Sequence, residues 1–275
     1  MIARVFARRT SLSPRDDLAF YGGPPLGLTG INRVLVSAAF SWDQGRAKFL
    51  ARQWDTVCQD VRIGGPGFGN VGGEFTPGLF LQYGVTITSR GCPRRCPWCV
   101  VPQRDGRVRT LKINAGWIVQ DDNLLACPRP HIEAVLEMLA SQPDPIDFAG
   151  GLDARLLDQW FCDRLAKLRV FQAFVAYDQA SEREPVLRSI PMLQSAGLAQ
   201  RAIRVYMLCG FGDDTPSRAD DRAAEIFAAG AVPFAQWYQD GDRFRPAPDD
   251  WQTVIRKWSR PAAMFARKVS DERLF

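Results

Sequence analysis

The sequence predicts an α/β protein: a partial barrel of six βα units, preceded by a small α/β extension and followed by a helix. Two observations carry this. From residue 83 onward, short apolar runs alternate with stretches of helical periodicity, the rhythm of a parallel sheet with crossover helices. The chain also has 275 residues and 46% apolar content, enough to bury one large core and a modest extension.

Taken in order, residues 1–30 are rich in Arg, Pro and Gly without clear periodicity, and are predicted to form an arm on the surface or on a substrate. An apolar run at 31–38, a helix over 44–54 and a short strand at 61–63 lead into the glycine-rich stretch GGPGFGNVGGEF at 64–75, and together these make an extension of about 80 residues. Strands are expected at 85–88, 117–120, 146–149, 171–176, 203–208 and 233–237. The helices between them are expected at 131–140, 158–168, 185–196 and 218–229, with Pro or Gly at many of the ends, so the main domain runs from 81 to 240. In the tail, 241–275, Trp251, Ile255 and Trp258 recur at helical spacing opposite Arg256 and Lys257, which predicts an amphipathic helix over 249–268.

Composition narrows the function. The first residues carry charge where a signal peptide needs an apolar run, and no stretch approaches the roughly 18 apolar residues of a membrane span, so a cytoplasmic protein without a membrane partner is expected. Seven cysteines, three of them within eight residues, fit metal ligation in a reducing compartment better than a disulfide framework. The net charge of +5 comes from 30 Arg and 5 Lys against 30 acids, a bias that phosphate recognition and a GC-rich genome explain equally well.

Cys92, Cys96 and Cys99 form a C-x3-C-x2-C run directly after the first barrel strand. Three thiolates leave the shell of a structural zinc one ligand short, so zinc would need Cys58, Cys127, Cys162 or Cys209 as a distant fourth. An iron–sulfur cubane held by three thiolates instead keeps one iron open to an exogenous ligand. This run, with Trp98 just before its third cysteine, resembles the radical S-adenosylmethionine (SAM) superfamily over about residues 80–240. The resemblance implies a [4Fe-4S] cluster on the three cysteines, SAM chelated to the open iron, an external electron donor of flavodoxin or ferredoxin type, and a 5′-deoxyadenosyl radical that abstracts hydrogen from substrate.

It also implies roles for the strand ends. Trp98 would lie near the adenine. Asp121, Asp122 and Asn123, after the second strand, resemble an acidic form of the motif that holds the SAM amino group, while a helix cap or turn remains the alternative reading. Gly151, Asp153 and Arg155 would approach the SAM ribose or carboxylate, Asp178 the ribose hydroxyls, and Gln236, with Tyr238, adenine or substrate. Cys127 and Cys209 are candidate hydrogen-atom donors, or else buried small hydrophobes. Gly72-Gly73-Glu74 precedes the cysteines, where the family's Gly-Gly-Glu follows them. His131 is the only histidine and no Asp-x-His-x-x-Gly segment is present, so nothing in the sequence predicts bound cobalamin.

The Ala3-to-Thr10 arm, the Ile63-Gly64-Gly65-Pro66 loop and Gly151-Leu152-Asp153-Ala154-Arg155 resemble small radical SAM proteins of bacteriophages and their hosts, some of which act in DNA hypermodification. That resemblance implies isomerisation of a glycyl group on a modified thymidine, with DNA as partner. Arg4, Arg8, Arg9 and Arg15, with Arg256, Lys257 and Arg260, would then contact phosphates. A small metabolite or peptide substrate, and a noncatalytic iron–sulfur or zinc protein, are the alternatives.

Overall fold

The computed structural model describes residues 1–241 and 243–272, with side chains through 266, so the last three residues of the tail lie outside it. The chain folds around two parallel sheets with separate cores. The first sheet contains β1 (Ile2–Phe6), β2 (Ala19–Phe20), β3 (Arg33–Ser37) and β4 (Val61–Gly64), with α1 (Gln44–Trp54) between the last two. Its order is β2-β1-β3-β4, every pair parallel. Ala3, Val5, Val34 and Val36 pack against Ala47, Leu50 and Trp54 of α1.

The first 30 residues are therefore not a loose arm, since β1 pairs on both sides inside this sheet. A charge in mid-strand had disguised it. Arg4 is only 8% exposed, because it donates to the Gly78 carbonyl at 2.7 Å and pairs with Asp16. It is a buried structural cation, not a phosphate contact.

The second sheet contains β5 (Val85–Thr86), β8 (Ile118–Val119), β9 (Ile146–Phe148), β10 (Val170–Ala176), β11 (Ile203–Cys209) and β12 (Val232–Trp237). All six expected strands are present, parallel and in chain order, and β5 and β12 are left as open edges. Between β5 and β8 lie a short antiparallel ribbon, β6 (Ser89–Arg90) with β7 (Arg109–Thr110), and the single-turn helix α2 (Val101–Arg104). The first strand stops at Thr86, short of the expected Thr88, because Thr88 gives its N–H and hydroxyl to Asp121 rather than to a neighbouring strand.

The crossover helices α3 (Arg129–Ala140), α4 (Gln159–Leu165), α5 (Arg183–Ser195) and α6 (Pro216–Ala228) share one core with the sheet. Asp158 and Thr215 cap α4 and α6 through side-chain oxygens. Along β11, Ile203, Val205, Met207 and Cys209 are wholly buried, whereas Arg204, Tyr206 and Leu208 on the other face are only partly covered. Ala176 and Gln236 are exposed even though they lie in paired strands. The face away from the helices is thus open at the strand ends.

The expected tail helix is two helices, α7 (Asp249–Trp258) and α8 (Pro261–Glu272), because Pro261 cannot continue α7. Trp251, Val254 and Trp258 bury into the main core, and Lys257 is tied to Asp220 on α6 at 2.7 Å. The first unit meets both open edges of the larger sheet. Leu12 accepts from the Gln82 amide just before β5, while Ser41 bonds the Gly241 carbonyl and Trp42 packs on Phe244 after β12.

Candidate functional site

The three cysteines sit in a loop closed at its base by the β6–β7 ribbon. The Cys92 amide donates to the Gly106 carbonyl at 3.2 Å, and the Cys99 amide to the Cys96 carbonyl at 3.0 Å. Gly91 makes the closure possible: its φ is +86°, and a Cβ there would lie 2.2 Å from the Arg107 carbonyl oxygen. All three thiols are half-buried and unbridged. Burial pushes Cys96 and Cys99 above the ordinary thiol range; Glu182 and then Cys99 add to the effect at Cys96, and Cys92 and Asp122 at Cys99. Three crowded acidic donors of this kind gain most from a cation or a metal cluster. Among the described residues no three His, Cys, Asp or Glu side chains converge on a single-ion shell.

The residues after β8 divide by role. Asp121 is 2% exposed and takes bonds from the Thr88 amide and hydroxyl at 2.6 Å and from the Ser89 hydroxyl at 2.8 Å. Burial raises its pKa, although these donors oppose the rise. Asp122 accepts from the Gly91 amide at 2.8 Å and meets Arg104 at 3.6 Å, so it anchors the loop base. Both carboxylates are consumed in stitching β8 to the cysteine loop. Asn123 is the one that faces the cysteines: its Nδ2 lies 3.4 Å from Cys92 Sγ and 3.2 Å from Asp153 Oδ2, while its Oδ1 is buried with no partner.

After β9, Gly150 passes so close to β8 that a Cβ would fall 2.4 Å from the Asp121 carbonyl, and Gly151 turns the chain with φ +89°. The turn delivers Asp153, whose Oδ2 accepts from Arg94 Nε at 2.8 Å and whose Oδ1 accepts from Arg155 Nε at 3.0 Å. Burial works against its charge, but the two guanidinium groups hold it below the usual carboxylate range. Arg155 goes on to Glu182 at 3.5 Å, and Glu182 caps the segment after β10 through the amides of Asp178 and Gln179.

Trp98, Asp178, Phe211 and Tyr238 form a second group. Trp98 packs edge-on to Phe211 at 5.3 Å, and Phe211 in turn to Tyr238 at 4.9 Å. Asp178 accepts from the Leu208 amide at 2.8 Å. Burial and then Glu182 push it up to about 6, against the pull of the Leu208 amide, Arg222 and the Trp98 indole. Gln236 opens to solvent at the rim of β12.

Cys127 and Cys209 stand apart. Both are packed in the apolar core, Cys209 with no exposure and its thiol donating to the Met207 carbonyl. Burial raises Cys127 and pushes Cys209 up to about 12, so they read as small core residues. His131 bonds the Thr88 hydroxyl at 3.3 Å. The sequence reading missed Arg94 and Glu182, for which the available signal was the charge of Arg94 inside the C-x3-C spacing; the loop holding Phe211 resembles the family's loop before its fifth helix, but the ring itself was not picked out.

No protein-family model and no curated protein matches the chain. Its fold is similar to a solved structure of TsrM, a radical S-adenosylmethionine methyltransferase from Kitasatospora setae, with cobalamin and a [4Fe-4S] cluster bound. The TM-score is 0.62 at 12% identity, covering 86% of this chain and 74% of that one. A second TsrM structure, with tryptophan substrate and the SAM analogue aza-SAM, gives 0.60 at 12% identity over 86% of this chain and 72% of that one. At this identity the likeness is one of fold.

Proposed function

We propose that this chain is a radical SAM enzyme whose six-unit partial barrel holds a [4Fe-4S] cluster on Cys92, Cys96 and Cys99 and binds SAM beside it. The observation that carries the reading is Asn123, which donates to Cys92 and Asp153 and leaves a buried oxygen unpaired next to the cysteine loop. A buried amide oxygen without a donor is costly, and the ammonium of SAM would supply one. When bound, the cluster and SAM supply methionine and a 5′-deoxyadenosyl radical that takes hydrogen from substrate.

The chain's own residues would hold and aim these groups. Arg155, between Asp153 and Glu182, would meet the SAM carboxylate, and Trp98 with Phe211 would offer an aromatic edge for adenine. Asp178 is suited to a ribose hydroxyl, and Gln236 and Gly151 to the ligand's periphery. A flavodoxin- or ferredoxin-type donor would supply the electron.

For substrate, the reading is a glycyl-modified thymidine in DNA whose glycyl attachment is isomerised. Its support is the aromatic group on the sheet face away from the helices, where the part-exposed Tyr206 and Phe234 meet edge-on at 5.7 Å above the buried Phe174, which stacks on Tyr206 at 4.4 Å; part-exposed rings of this kind can take a planar base. A small metabolite or peptide is favoured instead by the ion pairs that occupy the expected phosphate contacts: Arg4 with Asp16, Arg8 with Asp43 and Lys257 with Asp220.

After anaerobic reconstitution about four iron and four sulfide per chain are expected, and SAM should perturb the EPR spectrum of the reduced cluster. A mononuclear metal, or a spectrum indifferent to SAM, would overturn the reading. Mass spectrometry of nucleosides from host DNA with and without the gene separates the substrates, since unchanged nucleosides exclude the thymidine reaction.

A further inference from the structure

We propose that the cavity beside the first sheet binds an amphipathic oxyanion of about nucleoside size, with its acid group on Arg90. The cavity measures about 510 Å³, within the range of small-molecule sites. It opens at the C-terminal ends of β1, β3 and β4, the side on which open parallel sheets bind their ligands. Phe6, Leu35, Val36, Ile63, Phe75 and Leu79 wall it with apolar surface. Ile63, on the edge strand β4, is 44% exposed and contributes apolar surface to the wall.

Arg90 supplies the polar end. Its side chain is 20% exposed, it meets Asp122 at 3.8 Å and its charge also helps hold the Asp105 carboxyl down, yet among the described residues its guanidinium donates no hydrogen bond and its Nε is buried without a partner. The other cations of the lining are engaged, Arg8 with Asp43 at 2.9 Å and Arg62 with Asp60 at 2.8 Å. Glu74, the acid of the lining, is exposed to water. A largely buried guanidinium with idle donors gains charge-assisted hydrogen bonds when an oxyanion arrives. The neighbouring loop does not compete for the anion: the amides of Gly65, Gly67 and Gly69 are spent on Asn70 Oδ1, the Ala38 carbonyl and the Pro66 carbonyl. Arg90 also lies in β6 at the base of the cysteine loop and shares Asp122 with Arg104.

The test titrates the full chain with 1-anilinonaphthalene-8-sulfonate and with its uncharged relative N-phenyl-1-naphthylamine, following fluorescence. One saturable site is expected for each probe. Arg90→Met should weaken the sulfonate about tenfold and leave the neutral probe unchanged, whereas Ile63→Trp, at an exposed wall position, should block both while circular dichroism stays that of wild type. If Arg90→Met fails to fold, Arg90→Lys and the salt dependence of the two probes serve: the sulfonate alone should weaken with salt. Unsaturable binding, equal losses for both probes in Arg90→Met, no effect of Ile63→Trp, or identical salt dependence would overturn the proposal. Naphthoate and naphthyl phosphate as competitors identify the acid as carboxylate or phosphate ester, and displacement by neither also overturns it.

Discussion

Arg94 Nε lies 2.8 Å from Asp153 Oδ2, a bond across 59 residues of chain that fastens the cysteine loop to the turn after the third barrel strand. The same carboxylate takes Arg155 and Asn123, so one side chain orders the loop and its candidate ligand contacts together.

Asp153→Ala leaves Arg94 and Arg155 without their shared partner, in a place where burial makes an unpaired charge expensive. A loss of about 2–4 kcal/mol in urea unfolding is expected, together with reduced iron retention. Asp153→Asn, which keeps an acceptor oxygen, should cost less than Asp153→Ala. Equal iron content in all three proteins would contradict the tethering role.

Asn123→Leu removes both the donor to Cys92 and the unpaired oxygen while keeping the volume. SAM affinity of the reconstituted protein should fall about ten- to a hundredfold, with iron content near wild type. A loss of iron at unchanged SAM affinity would mean that Asn123 serves the thiolate alone.

Gly91→Ala should be the most damaging glycine change in the loop, because φ is +86° and the new Cβ would collide with the Arg107 carbonyl at 2.2 Å. Gly106, with φ +69° and nothing within 4 Å of a Cβ, is the control. Thermal melts should show a loss of about 1 kcal/mol for Gly106→Ala and several times that for Gly91→Ala. Equal costs would refute the packing argument.

Asp178 gives a pH signature. Its native pKa of about 6 lies above the ordinary 3.8, so the folded state holds a proton that the unfolded state has released. Stability should fall as pH rises through that interval, and the proton-linked gain should be present only toward acid. Asp178→Asn keeps an acceptor for the Leu208 amide. It should abolish this slope and stabilise the protein near neutrality by on the order of 2–3 kcal/mol, read by denaturant unfolding across the window.

The six strands were legible because apolar runs and helical periods alternate cleanly from Val85 to Trp237, and C-x3-C-x2-C marked the loop by spacing alone. What stayed hidden was long-range pairing. Asp121, Asp122 and Asn123 are neighbours in sequence, yet two stitch the sheet and one faces the cysteines, a division set by Thr88, Ser89 and Gly91 more than thirty positions away. Arg4 broke the pattern of β1 because its charge is neutralised by Asp16 and carbonyls near residue 78. Cys127 and Cys209 looked chemical by residue type, and only packing revealed them as core. Of the basic residues expected on phosphates, Arg9, Arg15, Arg256 and Arg260 are exposed outside the ion pairs named above, and they fall at separate points of the chain rather than in one recognisable motif.

The central claim is reductive cleavage of SAM at the three-cysteine loop, and the direct measurement is 5′-deoxyadenosine formed by the anaerobically reconstituted protein under strong reductant. Wild type is expected to release 5′-deoxyadenosine and methionine in equal amounts, and the Cys92→Ala, Cys96→Ala and Cys99→Ala variants none. No 5′-deoxyadenosine from a wild-type protein carrying its full complement of iron and sulfide, or equal amounts from the cysteine variants, would contradict the account.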